Sequence, residues 1–167
     1  MRKKKVIIHS DYPLANTGFG KNCRNILEYL FKTNKYELVN LAVGSLNTNK
    51  EELQRTPWKT IGTVNPNQIQ QIQQQNDPKS WDAIGRMAGY GEFAINEVVQ
   101  NEKPDVLISI QDIWGINYSL KASWFNKITS VYWTTLDSLP ILDRAVEAAS
   151  KDRKSTRLNS SHVSESR

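Results

Sequence analysis

HSDYPLANTGFGKNCRNILEYL, residues His9–Leu30, contains the change of pattern that decides the fold. A short apolar run, Lys5–His9, leads into it and predicts a strand. Proline, asparagine and glycine residues then predict a loop over Asp11–Thr17, and apolar residues at helical spacing predict a helix over Phe19–Lys32. A second β-rich run, Lys35–Val43, completes a strand–loop–helix–strand order, which is typical of a parallel sheet.

The same alternation continues in the second half of the chain. Trp81–Glu102 predicts a helix with an interruption around Gly89–Gly91, and Asp105–Ile110 is a continuous apolar run of the kind found in buried parallel strands. Lys127–Trp133 predicts a further strand, and Ile141–Lys151 a further helix. The chain is therefore predicted to be α/β, a Rossmann-like three-layer α/β/α fold with a mostly parallel sheet and helices on both faces.

The region Gly44–Asp82 has the weakest pattern in the chain. Thr56–Val64 is compatible with a strand, and Asn65–Pro78 is a polar, glutamine-rich segment that is compatible with a short surface helix. No residue pattern in this region indicates a particular chemistry.

Composition excludes several classes of protein. The chain has 167 residues with 38% hydrophobic content, which suits one globular domain, and no apolar run approaches the roughly 20 residues of a membrane span. Cys23 is the single cysteine, so no intramolecular disulfide can form. MRKKK is followed by too short an apolar run for a signal peptide, and we predict a cytoplasmic protein. The net charge of +5 raises a nucleic-acid hypothesis, which rests on this charge alone because the basic residues are dispersed, so no clear nucleic-acid partner is predicted.

The C-terminal segment Asp152–Arg167 differs abruptly from the sequence before it. It is serine-rich, without a helical or strand period, and its first eleven residues back-translate to one reading frame of a common short-read sequencing adapter. An ordinary flexible terminus is the other interpretation. We expect residues 1–151 to be an incomplete Rossmann-like domain and residues 152–167 to be a non-native, disordered tail. This tail has four basic and two acidic residues, so the rest of the chain carries a net charge of +3.

Three loops are expected to leave the carboxyl ends of strands, where ligand sites form in open α/β sheets. The first contains Gly18-Phe19-Gly20, where glycines permit a ligand to approach a helix N-terminus closely; the sequence is neither GxGxxG nor a Walker loop, and Thr17 is compatible with a simple helix cap. The second contains Asp112 and Trp114, a carboxylate and an indole that are suited to binding a sugar. The alternative is that Asp112 caps the next short helix and that Trp114 packs at the rim of the domain.

The third loop begins after the predicted strand that ends at Trp133. Trp133 and Asp137 suit either sugar binding or a turn that is closed by Asp137 and Pro140. His9 fits a hydrogen-bonded histidine at the sheet edge better than a catalytic one. One histidine and one cysteine outside the tail do not make a metal site or a Cys–His pair, so we predict neither.

Three stretches in order, His9–Leu30, Tyr90–Gly115 and Val131–Lys151, resemble the N-terminal half of GT-B-fold glycosyltransferases. The closest group is the one similar to glycogen and sucrose synthases, often called group 1 or family four. The resemblance covers most of residues 5–151, and it is vague over residues 44–82. The ordered set of motifs carries it, rather than any single motif.

The resemblance implies roles for individual residues. Gly18-Phe19-Gly20, where the family often has a Gly-Gly pair, would lie near the donor's diphosphate and transferred sugar. Asp112 and Trp114 in one loop, and Thr135 and Asp137 in the other, would face the acceptor. Many relatives have a histidine near the last loop, which this chain lacks, so these are predicted as binding residues and no catalytic residue is assigned.

The resemblance also implies an activity. A retaining glycosyltransferase of this group transfers a sugar from a nucleotide-diphosphate donor to an acceptor hydroxyl, with the nucleotide sugar as co-substrate and no other cofactor. A second Rossmann-like domain of the same chain, absent from this sequence, would supply most of the nucleotide pocket. Residues 1–167 are therefore expected to be inactive alone. The alternative is a self-sufficient, flavodoxin-like module that binds a small phosphorylated ligand.

Overall fold

The computed structural model describes residues 2–135, together with Asp143, Val146 and Ser150. Its sheet consists of five strands, β1 (Lys4–Asp11), β2 (Tyr36–Leu46), β3 (Lys59–Val64), β4 (Val106–Ile110) and β5 (Thr129–Trp133). Their order is β3-β2-β1-β4-β5, and all four neighbouring pairs are parallel.

Helices connect these strands and lie on both faces of the sheet. They are α1 (Gly18–Thr33), α2 (Lys50–Leu53), α3 (Pro66–Gln74), α4 (Trp81–Tyr90), α5 (Ile95–Glu102) and α6 (Ile113–Ile116), with short 3₁₀ turns at Pro78–Ser80 and Asn117–Lys121. The predicted Rossmann-like α/β/α class with a parallel sheet is therefore confirmed over the described residues.

The helix α1 covers one face of the sheet. Cys23 and Leu27 on its inner side are fully buried and pack in a cluster with Val6 and Ile8 of β1 and Ile110 of β4. Because successive residues of a strand point to opposite faces, the even-numbered residues of β1 face α1.

The opposite face carries a second apolar cluster. Ile7 of β1, Leu41 of β2 and Leu107 of β4 pack there against Ile95 of α5 and the indole of Trp124. Both faces of the central strands are thus buried, which explains their continuous apolar runs.

The predicted break in the helix over Trp81–Glu102 is confirmed at Gly91. This glycine has φ of +91°, and its N–H donates to the carbonyls at the end of α4. The left-handed conformation ends α4 and lets α5 begin in a new direction. The chain reverses near the carboxyl ends of the strands, which positions Tyr90 and Gly91 beside β1.

Two predicted boundaries differ from the structure by three residues, and the other strand and α1 boundaries differ by one or two residues or not at all. β2 extends three residues beyond Val43, to Leu46, because it continues to pair with β3 past an irregularity in register between Ala42 and Leu46. β3 begins at Lys59, three residues later than predicted. The glutamine-rich segment forms the short helix α3, which has no buried residue and caps its N-terminus with Asn65.

The predicted helix over Ile141–Lys151 lies largely outside the described residues. Asp143, Val146 and Ser150 are helical and exposed. Asp137 and the predicted domain boundary after residue 151 also lie outside the described residues.

Candidate functional site

The loops that follow β1, β4 and β5 leave one edge of the sheet. These three strands are neighbours and all run parallel, so their carboxyl ends meet there. From β1 the chain crosses to β2 on one side, whereas β4 and β5 lie on the other side. This reversal between β1 and β4 is the position at which open α/β sheets usually bind ligands.

A capped glycine turn forms the first part of this edge. The Thr17 hydroxyl accepts a hydrogen bond from the Gly20 amide at 2.9 Å, so the helix-cap interpretation of Thr17 is confirmed. Within the described residues, the amides of Gly18 and Phe19 donate to no backbone or side-chain acceptor. The first turn of α1 therefore presents two open N–H donors.

Gly18 and Gly20 have different surroundings. A Cβ atom at Gly20 would lie 2.8 Å from the Ala15 carbonyl oxygen and 2.9 Å from that of Tyr12, so glycine is required there by the path of the loop. A Cβ atom at Gly18 would have no neighbour within 4 Å. Of the two glycines, Gly18 is the one that leaves space for a ligand beside the helix N-terminus.

Asp11 connects the loop after β1 to the loop after β4. Its carboxylate accepts hydrogen bonds from the Thr17 hydroxyl at 2.6 Å and from Nε2 of Gln111 at 2.7 Å. Gln111 is only 2% exposed, so this contact fixes a buried side chain. The sequence analysis assigned no role to Asp11 or Gln111, because one hundred residues separate them along the chain.

The predicted acceptor residues Asp112 and Thr135 are in direct contact. The Thr135 hydroxyl donates a hydrogen bond of 2.8 Å to the Asp112 carboxylate, which joins the loops after β4 and β5. Asp112 directly precedes α6, but its side chain does not cap that helix. Trp114 belongs to α6. Together with Asp11 and Gln111, these contacts link all three loops.

Tyr90 is a further residue at this edge that the sequence analysis missed. A Cβ atom at Gly115 would lie 2.7 Å from Cδ1 of Tyr90, so the phenol ring packs against the backbone of α6. Burial raises the pKa of the Tyr90 phenol, and the negative charges of Asp112 and Asp11 raise this pKa further. The geometry thus places the last residue of α4 against α6, which directly follows Asp112 in the chain.

His9 is a buried structural residue behind the edge. Its Nε2 lies 2.9 Å from the Tyr90 carbonyl oxygen and its Nδ1 lies 3.3 Å from the Ser109 hydroxyl. A proton on Nε2 satisfies both contacts, because Nε2 then donates to the carbonyl and Nδ1 accepts from the hydroxyl. Burial lowers the pKa of His9 to about 4. The ring is neutral at physiological pH, in line with the predicted hydrogen-bonded role.

A cavity of about 780 Å³ lies on the other side of the glycine turn, between the loops that follow β1 and β2. Its wall contains the carboxylates of Asp11, Glu51 and Glu52 and one guanidinium, that of Arg55, which pairs with Glu51 at 3.0 Å. Of the predicted site residues whose side chains the structure describes, none lines this cavity. No residue pattern in residues 44–82 indicated this cavity. The acidic Glu51-Glu52 pair just after a β-rich run is the signal that could have located it.

No protein-family model matches the chain, and no curated protein matches it significantly in sequence. The geometry defines a Rossmann-like α/β unit whose polar edge lies at the reversal of the strand order. The glycosyltransferase resemblance stays a prediction. Among the helices that the structure describes, none combines the length and the apolar character that a bilayer crossing requires.

Proposed function

We propose that this chain is the acceptor-side Rossmann-like unit of a retaining glycosyltransferase. The observation that carries the proposal is the hydrogen-bonded connection of the three loops at one edge. Thr17 and Gln111 both bind Asp11, and Thr135 binds Asp112. These are the loops in which the motif resemblance also lies.

The chemistry of this edge suits the binding of sugar hydroxyls. The open amides of Gly18 and Phe19 are donors, and the carboxylates of Asp11 and Asp112 are acceptors, so both kinds of partner for a hydroxyl group are available. The space beside Gly18 admits the transferred sugar of a donor, and Asp112 and Thr135 orient an acceptor hydroxyl. Among the described residues, the first turn of α1 has one basic side chain, Lys21, and the Arg55 guanidinium in the neighbouring cavity is paired with Glu51.

The transfer reaction requires more than this edge. Negative charge builds up on the departing diphosphate, and it must be stabilised by fixed donors and cations in a cleft that excludes water. In the proposed enzyme a second domain supplies these groups. The chain alone is therefore expected to bind sugars weakly and to show no turnover.

The two glycines of the turn provide a matched pair of variants for a test. Gly18→Ala adds a methyl group in open space at the start of a helix, so the protein is expected to fold at least as stably as the wild type. The same methyl group occupies the proposed sugar position. Gly20→Ala places it against two backbone carbonyls and is expected to destabilise the fold by about 1–3 kcal/mol.

Binding is measured by amide NMR titration of the full chain with neutral oligosaccharides and with nucleotide sugars such as UDP-glucose and GDP-mannose. We expect a ligand to shift the Gly18 and Phe19 resonances of the wild type. We expect the same ligand to bind Gly18→Ala with an affinity at least about fivefold lower. If no sugar shifts these resonances, or if Gly18→Ala binds like the wild type, the proposed site is wrong. Turnover of a nucleotide sugar by the purified chain would contradict the expected inactivity.

The flavodoxin-like alternative is tested with the same protein. A self-sufficient module is expected to bind a phosphorylated ligand such as FMN tightly and without a second domain. Micromolar binding of FMN at the glycine turn would replace the glycosyltransferase proposal with this alternative.

A further inference from the structure

The cavity between the loops that follow β1 and β2 has no part in the proposed sugar transfer. Its volume of about 780 Å³ is within the range of small-molecule sites, roughly 300–1,000 Å³. The phenol of Tyr12 in its wall donates to the backbone carbonyl oxygen of Glu52 at 2.6 Å, which ties the loop after β1 to α2. Gly18 does not line this cavity, so the cavity is a separate space from the one beside the helix N-terminus.

The side chains of the wall carry a negative net charge. Asp11, Glu51 and Glu52 supply three carboxylates, and Arg55 supplies one guanidinium. Arg55 pairs with Glu51, the most exposed of these carboxylates, at 3.0 Å. Asp11 and Glu52 form no ion pair within residues 2–135.

The hydrogen-bond partners of these two carboxylates are all uncharged. Glu52 accepts from Nδ2 of Asn49 at 2.9 Å. Asp11 accepts from Thr17 and Gln111. Two negative charges therefore act on the cavity without a compensating cation, so an anionic ligand is repelled and a cationic ligand is attracted.

Ser45 on β2 gives an independent indication that a polar ligand completes this wall. It lines the cavity and is only 8% exposed, and its hydroxyl forms no hydrogen bond with any described residue. The described side-chain atoms that are both sealed from solvent and without a partner belong to Asn40, Asn47 and Trp58, so the Ser45 hydroxyl keeps its access to the cavity. A hydroxyl in such a position needs a partner from outside the chain.

The composition of the wall favours an organic cation. In the part of the chain that the structure describes, no three carboxylate, imidazole or thiolate groups lie close enough together to ligate one metal ion. Leu14, Ala15 and Val43 add apolar surface to the wall, which suits a carbon skeleton. An ammonium group supplies three N–H donors, and carboxylates only accept, so a primary amine is complementary to this wall.

We propose that this cavity is a binding site for a protonated organic amine. The ammonium group donates to the Glu52 carboxylate, and the Ser45 hydroxyl accepts from or donates to a second polar group of the ligand. An amino sugar and an aliphatic diamine both present this chemistry. The site does not depend on whether the chain belongs to a glycosyltransferase.

Two substitutions remove the proposed contacts with little change to the fold. Glu52→Gln removes the charge, and its side-chain oxygen can still accept from Asn49 while its backbone still accepts from Tyr12. Ser45→Ala removes a hydroxyl that has no described partner, so it is expected to fold like the wild type. The matched control is Glu28→Gln, which removes the same charge from the exposed side of α1, outside the cavity.

The probes are two amines, glucosamine and putrescine, and their neutral analogues glucose and butanediol, in which hydroxyl groups replace the ammonium groups. Each is titrated into the full-length proteins while the Val43 and Gly44 amide resonances are followed by NMR. We expect at least one amine to give saturable shifts in the wild type and its neutral analogue to bind at least about tenfold more weakly. The tighter of the two amines identifies the skeleton that the site accepts.

The variants are expected to separate the cavity from the general acidity of the surface. Glu52→Gln should lower the affinity for that amine by at least about fivefold and Ser45→Ala by about threefold, whereas Glu28→Gln should bind like the wild type. The proposal is overturned if neither amine gives saturable shifts, if a neutral analogue binds as tightly as its amine, or if folded Glu52→Gln and Ser45→Ala bind like the wild type. These readouts lie at Val43 and Gly44 rather than at Gly18 and Phe19, so failure here is distinguishable from failure of the proposed function.

Discussion

His9 is expected to make the stability of this fold fall as the pH drops below neutrality. The ring is fully buried, and burial lowers its pKa from 6.5 to about 4. Between these two pH values the unfolded chain binds a proton at His9 that the folded chain does not. The contribution of the neutral His9 ring to the free energy of unfolding is therefore complete above pH 6.5 and is lost progressively toward pH 4. At about 1.4 kcal/mol for each pH unit, the loss amounts to about 2 kcal/mol by pH 5 and about 3 kcal/mol by pH 4.

The assay is urea unfolding of the wild type and of His9→Gln at pH 7 and pH 5, followed by tryptophan fluorescence. Glutamine keeps an N–H donor for the Tyr90 carbonyl but does not titrate, so the variant is less stable at pH 7 and changes less with pH. Every other titratable group is present in both proteins and cancels in the comparison. Equal losses of stability in the two proteins between pH 7 and pH 5 would refute the reasoning.

Two further predictions concern the stability of the sheet and of the helices packed on it. Glu102→Gln is expected to lower the free energy of unfolding by about 1–3 kcal/mol, because the largely buried Glu102 carboxylate pairs with Lys59 and, at 2.9 Å, with Lys5. Burial opposes ionisation of Glu102, but the two lysines outweigh this effect and lower the pKa of Glu102. The difference in the free energy of unfolding between the wild type and Glu102→Gln should therefore disappear in urea unfolding well below pH 4.5. Leu27 lies on the buried face of α1, and Leu27→Ala is expected to lower the free energy of unfolding by about 2–5 kcal/mol in the same measurement. A decrease of less than about 1 kcal/mol would mean that this face is not closely packed.

The fold was predictable because its main signals are local. The apolar run of β4 and the helical spacing of α1 each lie within a few consecutive residues. The break at Gly91 also has a local cause, since glycine takes a left-handed conformation without strain. The extension of β2 to Leu46 was not predictable, because it depends on pairing with β3, whose start had no clear signal.

The site was predictable only in part, for a similar reason. The order of the loops indicated that Asp112 and Thr135 lie at one edge, since parallel neighbouring strands end together. The contact of Asp11 with Gln111 joins residues one hundred positions apart, and no periodicity marks it. Tyr90 ends α4 and its ring packs against the backbone of α6 at Gly115, a contact between residues far apart in the chain that no local pattern indicates.

The two glycines of the turn after β1 are constrained to different degrees by the fold. Gly20 is confined by the carbonyl groups of the loop, and its amide is used by the Thr17 cap, so this position is set by the fold. Gly18 lies two residues before Gly20, and a Cβ atom there would have no neighbour within 4 Å. A side chain at position 18 can therefore change the space beside the helix N-terminus while the capped turn and the core beneath it stay the same.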